Sequence, residues 1–91
     1  MNILIIGHKG YIGSRLMRFL KEKFDTISGC DIRDGENFEH LSKEDLSLFQ
    51  VIILLAANSS VKECLNNFDA LNNNITNVIE LIKKLNPTQK F

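Results

Sequence analysis

Two unbroken apolar runs, Ile3–Ile6 and Val51–Leu55 continued by Ala56 and Ala57, limit the folds open to this 91-residue chain. A strand with one wet face alternates polar and apolar residues. A run that is apolar at every position fits a strand covered on both faces, the habit of parallel sheets. Parallel neighbours need a crossover between them, usually a helix. From Tyr11 to about Lys23 the period turns helical: Ile12, Leu16, Phe19 and Leu20 share one face, with Arg15, Arg18, Lys21 and Glu22 mostly opposite. Asp25–Asp31 reads as a second, shorter strand, and Val51–Ala57 as the third. Ser42, with Asp45 three residues on, suits the N-cap of a brief helix through Phe49. A last helix is expected from about Phe68 to Leu85, with Leu71, Ile75, Val78, Ile79, Ile82 and Leu85 as its apolar stripe and Pro87 as its stop. Strand, helix, strand, short helix, strand, helix is the order of half a doubly wound α/β sheet.

Length allows one small domain over residues 1–91. Formal net charge is zero, without the basic excess or stripe of a nucleic-acid binder. No stretch approaches the length of a membrane span. The apolar start lacks a basic n-region, so no signal peptide is expected. Cys30 and Cys64 form no CxxC pair, and His8 and His40 stand near neither, so no metal site is expected. Both thiols read as reduced and structural, which fits a cytoplasmic protein.

The glycines Gly7, Gly10 and Gly13 fall between the first strand and the first helix. The first amides of a helix have no internal partner, so a dinucleotide diphosphate is the expected ligand of such a loop. Gly7 permits the tight turn, Gly10 lets the backbone approach phosphate, and Gly13 lets helix and strand pack closely. A phosphate loop of the lysine-Ser/Thr type is excluded, because Ser14 and Arg15 follow Gly13. Asp31 closes the second strand, eighteen residues after Gly13, where a carboxylate would meet the ribose hydroxyls. A carboxylate there favours NAD over NADP, and Arg33 weakens that preference.

These residues resemble a known family. Gly7–Leu16, "GHKGYIGSRL", is similar to the Gly-x-x-Gly-x-Ile-Gly-Ser loop of the extended short-chain dehydrogenase/reductases, which include nucleotide-sugar epimerases and dehydratases such as UDP-galactose 4-epimerase. "VIILLAANSSV", Val51–Val61, resembles the family's fourth strand, usually followed by Ala-Ala, whose backbone passes under the cofactor. "NNITNVIELI" resembles its Asn-Val-x-Gly-Thr-x-Asn-Leu-Leu helix, with Asn74 at the asparagine. The resemblance implies a Rossmann-type sheet and a cofactor site made by Gly7, Gly10, Tyr11, Ile12, Gly13, Asp31, Leu55, Ala56, Ala57 and Asn74. NAD is the implied cofactor, with NADP as the alternative. Tyr11 is expected to pack and to donate its amide. Lys9 is expected to be solvated, Asp34 to contact adenine, and Asn58 and Ser59 to border the pocket or cap a loop.

Two departures matter. The family carries two strands between the first helix and the Ala-Ala strand, and this sequence has room for one. The second strand is therefore expected to end at Asp31, with the third vestigial. The family's Tyr-x-x-x-Lys pair is also missing: Tyr11 is the one tyrosine, and Arg15 stands four places on. The chain thus resembles the cofactor-binding front of an epimerase/dehydratase, truncated before the fifth strand and inactive alone. A nucleotide-sugar substrate is implied only if the remaining polypeptide is supplied. The strand at Val51–Leu55 is expected to be an unpaired apolar edge, prone to self-association. A fragment of a dTDP-4-dehydrorhamnose reductase-like enzyme and a stand-alone dinucleotide-binding module are the alternatives.

Overall fold

The computed structural model describes residues 1–24, 26–56 and 68–91. Its sheet is parallel and ordered β2–β1–β3, with β1 at Asn2–Ile6, β2 at Thr26–Cys30 and β3 at Val51–Leu54. The central strand is the most apolar one. Ile3, Leu4, Ile5 and Ile6 are all buried, on both faces of the sheet. Burying each such side chain is worth roughly 1.5–3 kcal/mol, so β1 anchors the domain.

The two faces are covered differently. Leu4, Ile6, Cys30 and Ile52 meet Leu46 and Leu81 in one cluster, backed by Phe38, Leu41, Phe49 and Leu85. Leu46 belongs to the short helix α2 (Lys43–Ser47), whose N-terminus is a capping box. Asp45 N–H donates to Ser42 Oγ at 3.1 Å, and Ser42 N–H donates to Asp45 Oδ2 at 3.0 Å. Leu81 belongs to α3 (Phe68–Lys83). On the other side, α1 (Tyr11–Lys21) packs against β1 and β2.

Both long helices are rotated from the expected stripes. Gly13 is the buried residue of α1, with Leu16, Met17 and Leu20 half-buried beside it. Ile12 and Phe19 are more than half exposed. The glycine contact with the preceding loop sets this rotation, because the helix comes closest to the sheet where it has no side chain. In α3, Leu81 is buried with Val78 and Leu85 half-buried, whereas Ile79 and Ile82 are exposed. Lys84, just past α3, fixes this orientation by donating to the carbonyls of Glu39 at 3.0 Å and Leu41 at 2.8 Å. The side chains of Leu71 and Ile75 lie outside the described residues.

Between β2 and α2 the chain makes two short 3-10 turns, Ile32–Asp34 and Phe38–His40, instead of a strand. Asp31 and Asn37 cap them by accepting from the amides two residues on, and Gly35 takes a left-handed φ of 77° between them. Turn-forming side chains at this spacing outcompete ladder pairing. The expected loss of the third strand is thereby met.

The β3 edge differs from expectation at its near end. Gln89 donates to the carbonyls of Leu46 and Phe49 and folds the tail back onto the sheet. Lys90 N–H then donates to Gln50 O, and Ile52 N–H to Lys90 O, both at 2.9 Å. Lys90 thus forms a single parallel bridge with Val51. Beyond it, an apolar groove lined by Ile52, Ile53, Leu54 and Phe91 continues along the edge.

Candidate functional site

The chain leaves β1 for β2 on one side and returns to β3 on the other. Strand order reverses there, and such reversals open a crevice outside the carboxyl ends of the two strands. Three segments follow those ends: Gly7–Gly10 after β1, Asp31 after β2, and Leu55–Ala56 after β3.

The three glycines do different physical work. Gly7 has φ +93°, and a Cβ there would lie 2.8 Å from the Ala56 nitrogen. Its own N–H donates to Cys30 O at 2.7 Å, which ties the loop to β2. Gly10 N–H donates to Gly7 O at 3.1 Å and closes the turn. At Gly13 a Cβ would fall 2.1 Å from Gly7 O. Gly10 alone has room: its backbone is extended, with φ −72° and ψ 174°, and a Cβ would meet only Gly7 O at 3.4 Å. The open direction therefore lies at the middle glycine, on the approach to the helix start.

That helix start is uncompensated. No side chain caps α1, and its first turn holds no acidic residue. Ser14 N–H makes the first helical bond, to Gly10 O at 2.9 Å, so the amides of Tyr11, Ile12 and Gly13 precede the ladder. Tyr11 is 74% exposed rather than packed in the core, and the Arg15 guanidinium stacks on its ring at 3.8 Å. With no core pocket at the helix start, the ring lies along the helix surface. Leu55 and Ala56 pass beside Gly7, as their place after β3 requires.

Asp31 is buried and joins the two sides. Its Oδ2 accepts from Lys9 N–H and its Oδ1 from Arg33 N–H, both at 2.9 Å. Burial opposes its ionisation, but the two amides, aided by the charge of Arg33, prevail and hold its carboxyl below the usual range. Lys9 is exposed, as expected, but its side chain is not free. Its ammonium pairs with Asp34, and the Arg33 guanidinium donates to Lys9 O. Asp34 thus faces a cation of the glycine loop. Sequence spacing carries no signal for a pair twenty-five residues apart. The hydrogen bond to Asp34 raises the Lys9 pKa against the opposing effect of desolvation.

His8 fills the remaining space between loop and β2. A Cβ at Gly29 would lie 2.3 Å from its imidazole Cγ, so the ring rests directly on the glycine backbone. Its Nε2 is 3.9 Å from Asp34 Oδ2, and its buried Nδ1 has no partner among the described residues. Ala57, Asn58, Ser59 and Cys64 lie outside the described residues. Asn74 lies on α3, with its side chain outside them. Among the described residues, no group of three or more metal-ligating side chains occurs, and no helix is long and apolar enough to cross a membrane.

Solved structures share this fold. MoeE5, determined in complex with UDP-glucose and NAD, superposes with a TM-score of 0.80 at 20% identity, over 92% of this chain and 32% of that one. L-threonine dehydrogenase from Phytophthora infestans gives 0.65 at 27% identity, over 92% of this chain and 33% of that one. A partial-consensus L-threonine 3-dehydrogenase gives 0.68 at 24% identity, over 91% and 32%. The chain therefore spans about a third of the length of these proteins. No curated protein matches it. The family model "NAD dependent epimerase/dehydratase family" matches residues 3–91, nearly from end to end. With a Rossmann-type sheet, a glycine loop at the strand reversal and an acid closing β2, this chain belongs to the NAD-dependent epimerase/dehydratase family.

Proposed function

We propose that this chain is the dinucleotide-binding front of a nucleotide-sugar epimerase or dehydratase. The observation that carries the reading is the open direction at Gly10 beside the uncapped start of α1. A diphosphate fits that arrangement. Free amides and the positive end of the helix dipole favour an anion, and no nearby carboxylate in the first turn repels it. In this reading Gly7, Gly10, Tyr11, Ile12 and Gly13 hold the diphosphate. Asp31 takes the adenosine ribose, and Leu55 and Ala56 pass along the nicotinamide half, to which the resemblance also assigns Ala57 and Asn74. The nicotinamide, when bound, accepts and returns a hydride. These residues bind and orient it.

The sugar-nucleotide pocket and the proton-transferring tyrosine and lysine belong, in this proposal, to polypeptide outside these 91 residues, so the chain alone is inactive. A cytoplasmic setting accords with its buried, unpaired Cys30. The apolar groove beyond Lys90 supports self-association or docking of a further strand at the β3 edge. Sedimentation velocity is expected to show concentration-dependent dimers or larger species. A single monomer boundary across the concentration range removes that part of the proposal.

Gly10→Val tests the cofactor reading cleanly. An extended φ and a free Cβ direction admit valine without strain, so the fold is kept while the isopropyl group fills the cradle. Calorimetric titration with NAD+ is expected to lose at least tenfold in affinity, about 1.4 kcal/mol. Equal affinities for variant and wild type, with unchanged circular dichroism, would remove the reading.

A further inference from the structure

We propose that Asp34 selects between the two dinucleotides by occupying Lys9, so that the site takes NAD and rejects NADP. The inference rests on the cofactor reading above and deepens it at the adenosine ribose. The two cofactors differ there by one phosphate monoester on the 2′-oxygen, which needs a cation with free donors. Two cations stand beside Asp31, and by count alone they suit the phosphate. Both are already engaged, Lys9 by its charge and Arg33 by one of its five N–H groups. The Lys9 ammonium is paired with Asp34, and the Arg33 guanidinium is bonded to Lys9 O across the mouth of the loop.

The charge around the subsite points the same way. Asp31, Asp34 and Glu36 all act on Lys9, and they outnumber the cations Lys9 and Arg33. A dianionic phosphate would have to displace Asp34 to reach Lys9 and would sit beside the ionised Asp31, with the remaining N–H groups of Arg33 as its other donors. A ribose with free hydroxyls needs neither change. Asp31 has two oxygens, each engaged by one amide, and each keeps a lone pair to accept from a hydroxyl. Selectivity thus comes from a carboxylate three residues beyond the one that meets the ribose. Asp34 acts through Lys9 and is a positioning residue.

The test is a set of calorimetric titrations with NAD+ and NADP+ on the wild-type chain, Asp34→Asn, and Asp34→Asn combined with Lys9→Met. The wild type is expected to prefer NAD+ by at least tenfold. Asp34→Asn frees the Lys9 ammonium and removes one negative charge, so NADP+ affinity is expected to rise about tenfold while NAD+ affinity stays within about twofold. The added Lys9→Met change is expected to cancel the gain, which a general loosening of the loop would not do. Adenosine 2′,5′-bisphosphate against AMP should reproduce the pattern without the nicotinamide half. NAD+ binding with an unchanged ratio in Asp34→Asn, or a gain that survives Lys9→Met, overturns this inference and leaves the cofactor reading intact. Absence of binding by any dinucleotide overturns both.

Discussion

Gly13→Ala is expected to cost the chain at least about 3 kcal/mol of folding stability, the upper range for forcing an extra methyl into a packed contact. The new Cβ would lie 2.1 Å from Gly7 O and 3.0 Å from the His8 Cα. Both neighbours are backbone, so no side chain can swing aside. Relief requires α1 to lift from the sheet, which also disturbs the turn that Gly10 N–H closes on Gly7 O. A small domain is stable by about 5–15 kcal/mol in total, and a chain of this size stands near the lower end. Urea unfolding followed by circular dichroism should show a large fall in midpoint. Gly10→Ala, with its open Cβ direction, should stay within about 0.5 kcal/mol of wild type. Equal midpoints for Gly13→Ala and Gly10→Ala would show that the helix does not press on the loop as described.

Asp31→Ala should rank second, at about 2–4 kcal/mol. It strands the amides of Lys9 and Arg33, which now donate to an ionised acceptor in a buried place. Its pH signature separates it from simple loss of packing. The native carboxyl titrates below the unfolded one. Its contribution is therefore fully present above the unfolded value of about 4 and is lost as pH falls through the depressed native value. Asp45 behaves alike, because the amide and then the hydroxyl of Ser42 hold its pKa down. The wild type should lose stability on acidification below about pH 4, and Asp31→Asn should flatten that decline. An acid limb of the same steepness in both proteins would mean that the carboxylate does not clamp the loop.

The elements most legible in the sequence are those fixed by a local physical rule. Ile3–Ile6 is apolar at every position, and it is the central strand with both faces covered. Ser42 and Asp45 stand three apart, and they make the box that starts α2. The vestigial third strand followed from the room for one strand between the first helix and Val51 and from the spacing of Asp31 to the glycines. Helix rotation was less legible. A stripe through Ile12, Phe19, Ile79 and Ile82 is as apolar as the stripe that packs, and periodicity alone does not separate neighbouring faces of an apolar helix. What decided between them was tertiary: glycine against glycine at α1, and Lys84 reaching two carbonyls past α3. Within the candidate site, the glycine spacing and Asp31 could be read locally. The partnership of Lys9 with Asp34 could not, since only the closure of β2 beside β1 brings the two together.

The contact between His8 and Gly29 has an evolutionary consequence. The imidazole occupies the volume in which any side chain at the fourth residue of β2 would begin. The two positions are therefore locked as a complementary pair. A larger residue at 29 requires the imidazole to swing out of the loop or residue 8 to shrink. Among descendants of this sequence the two sites should change together, and lineages that keep an aromatic ring in the loop should keep a bare α-carbon opposite it.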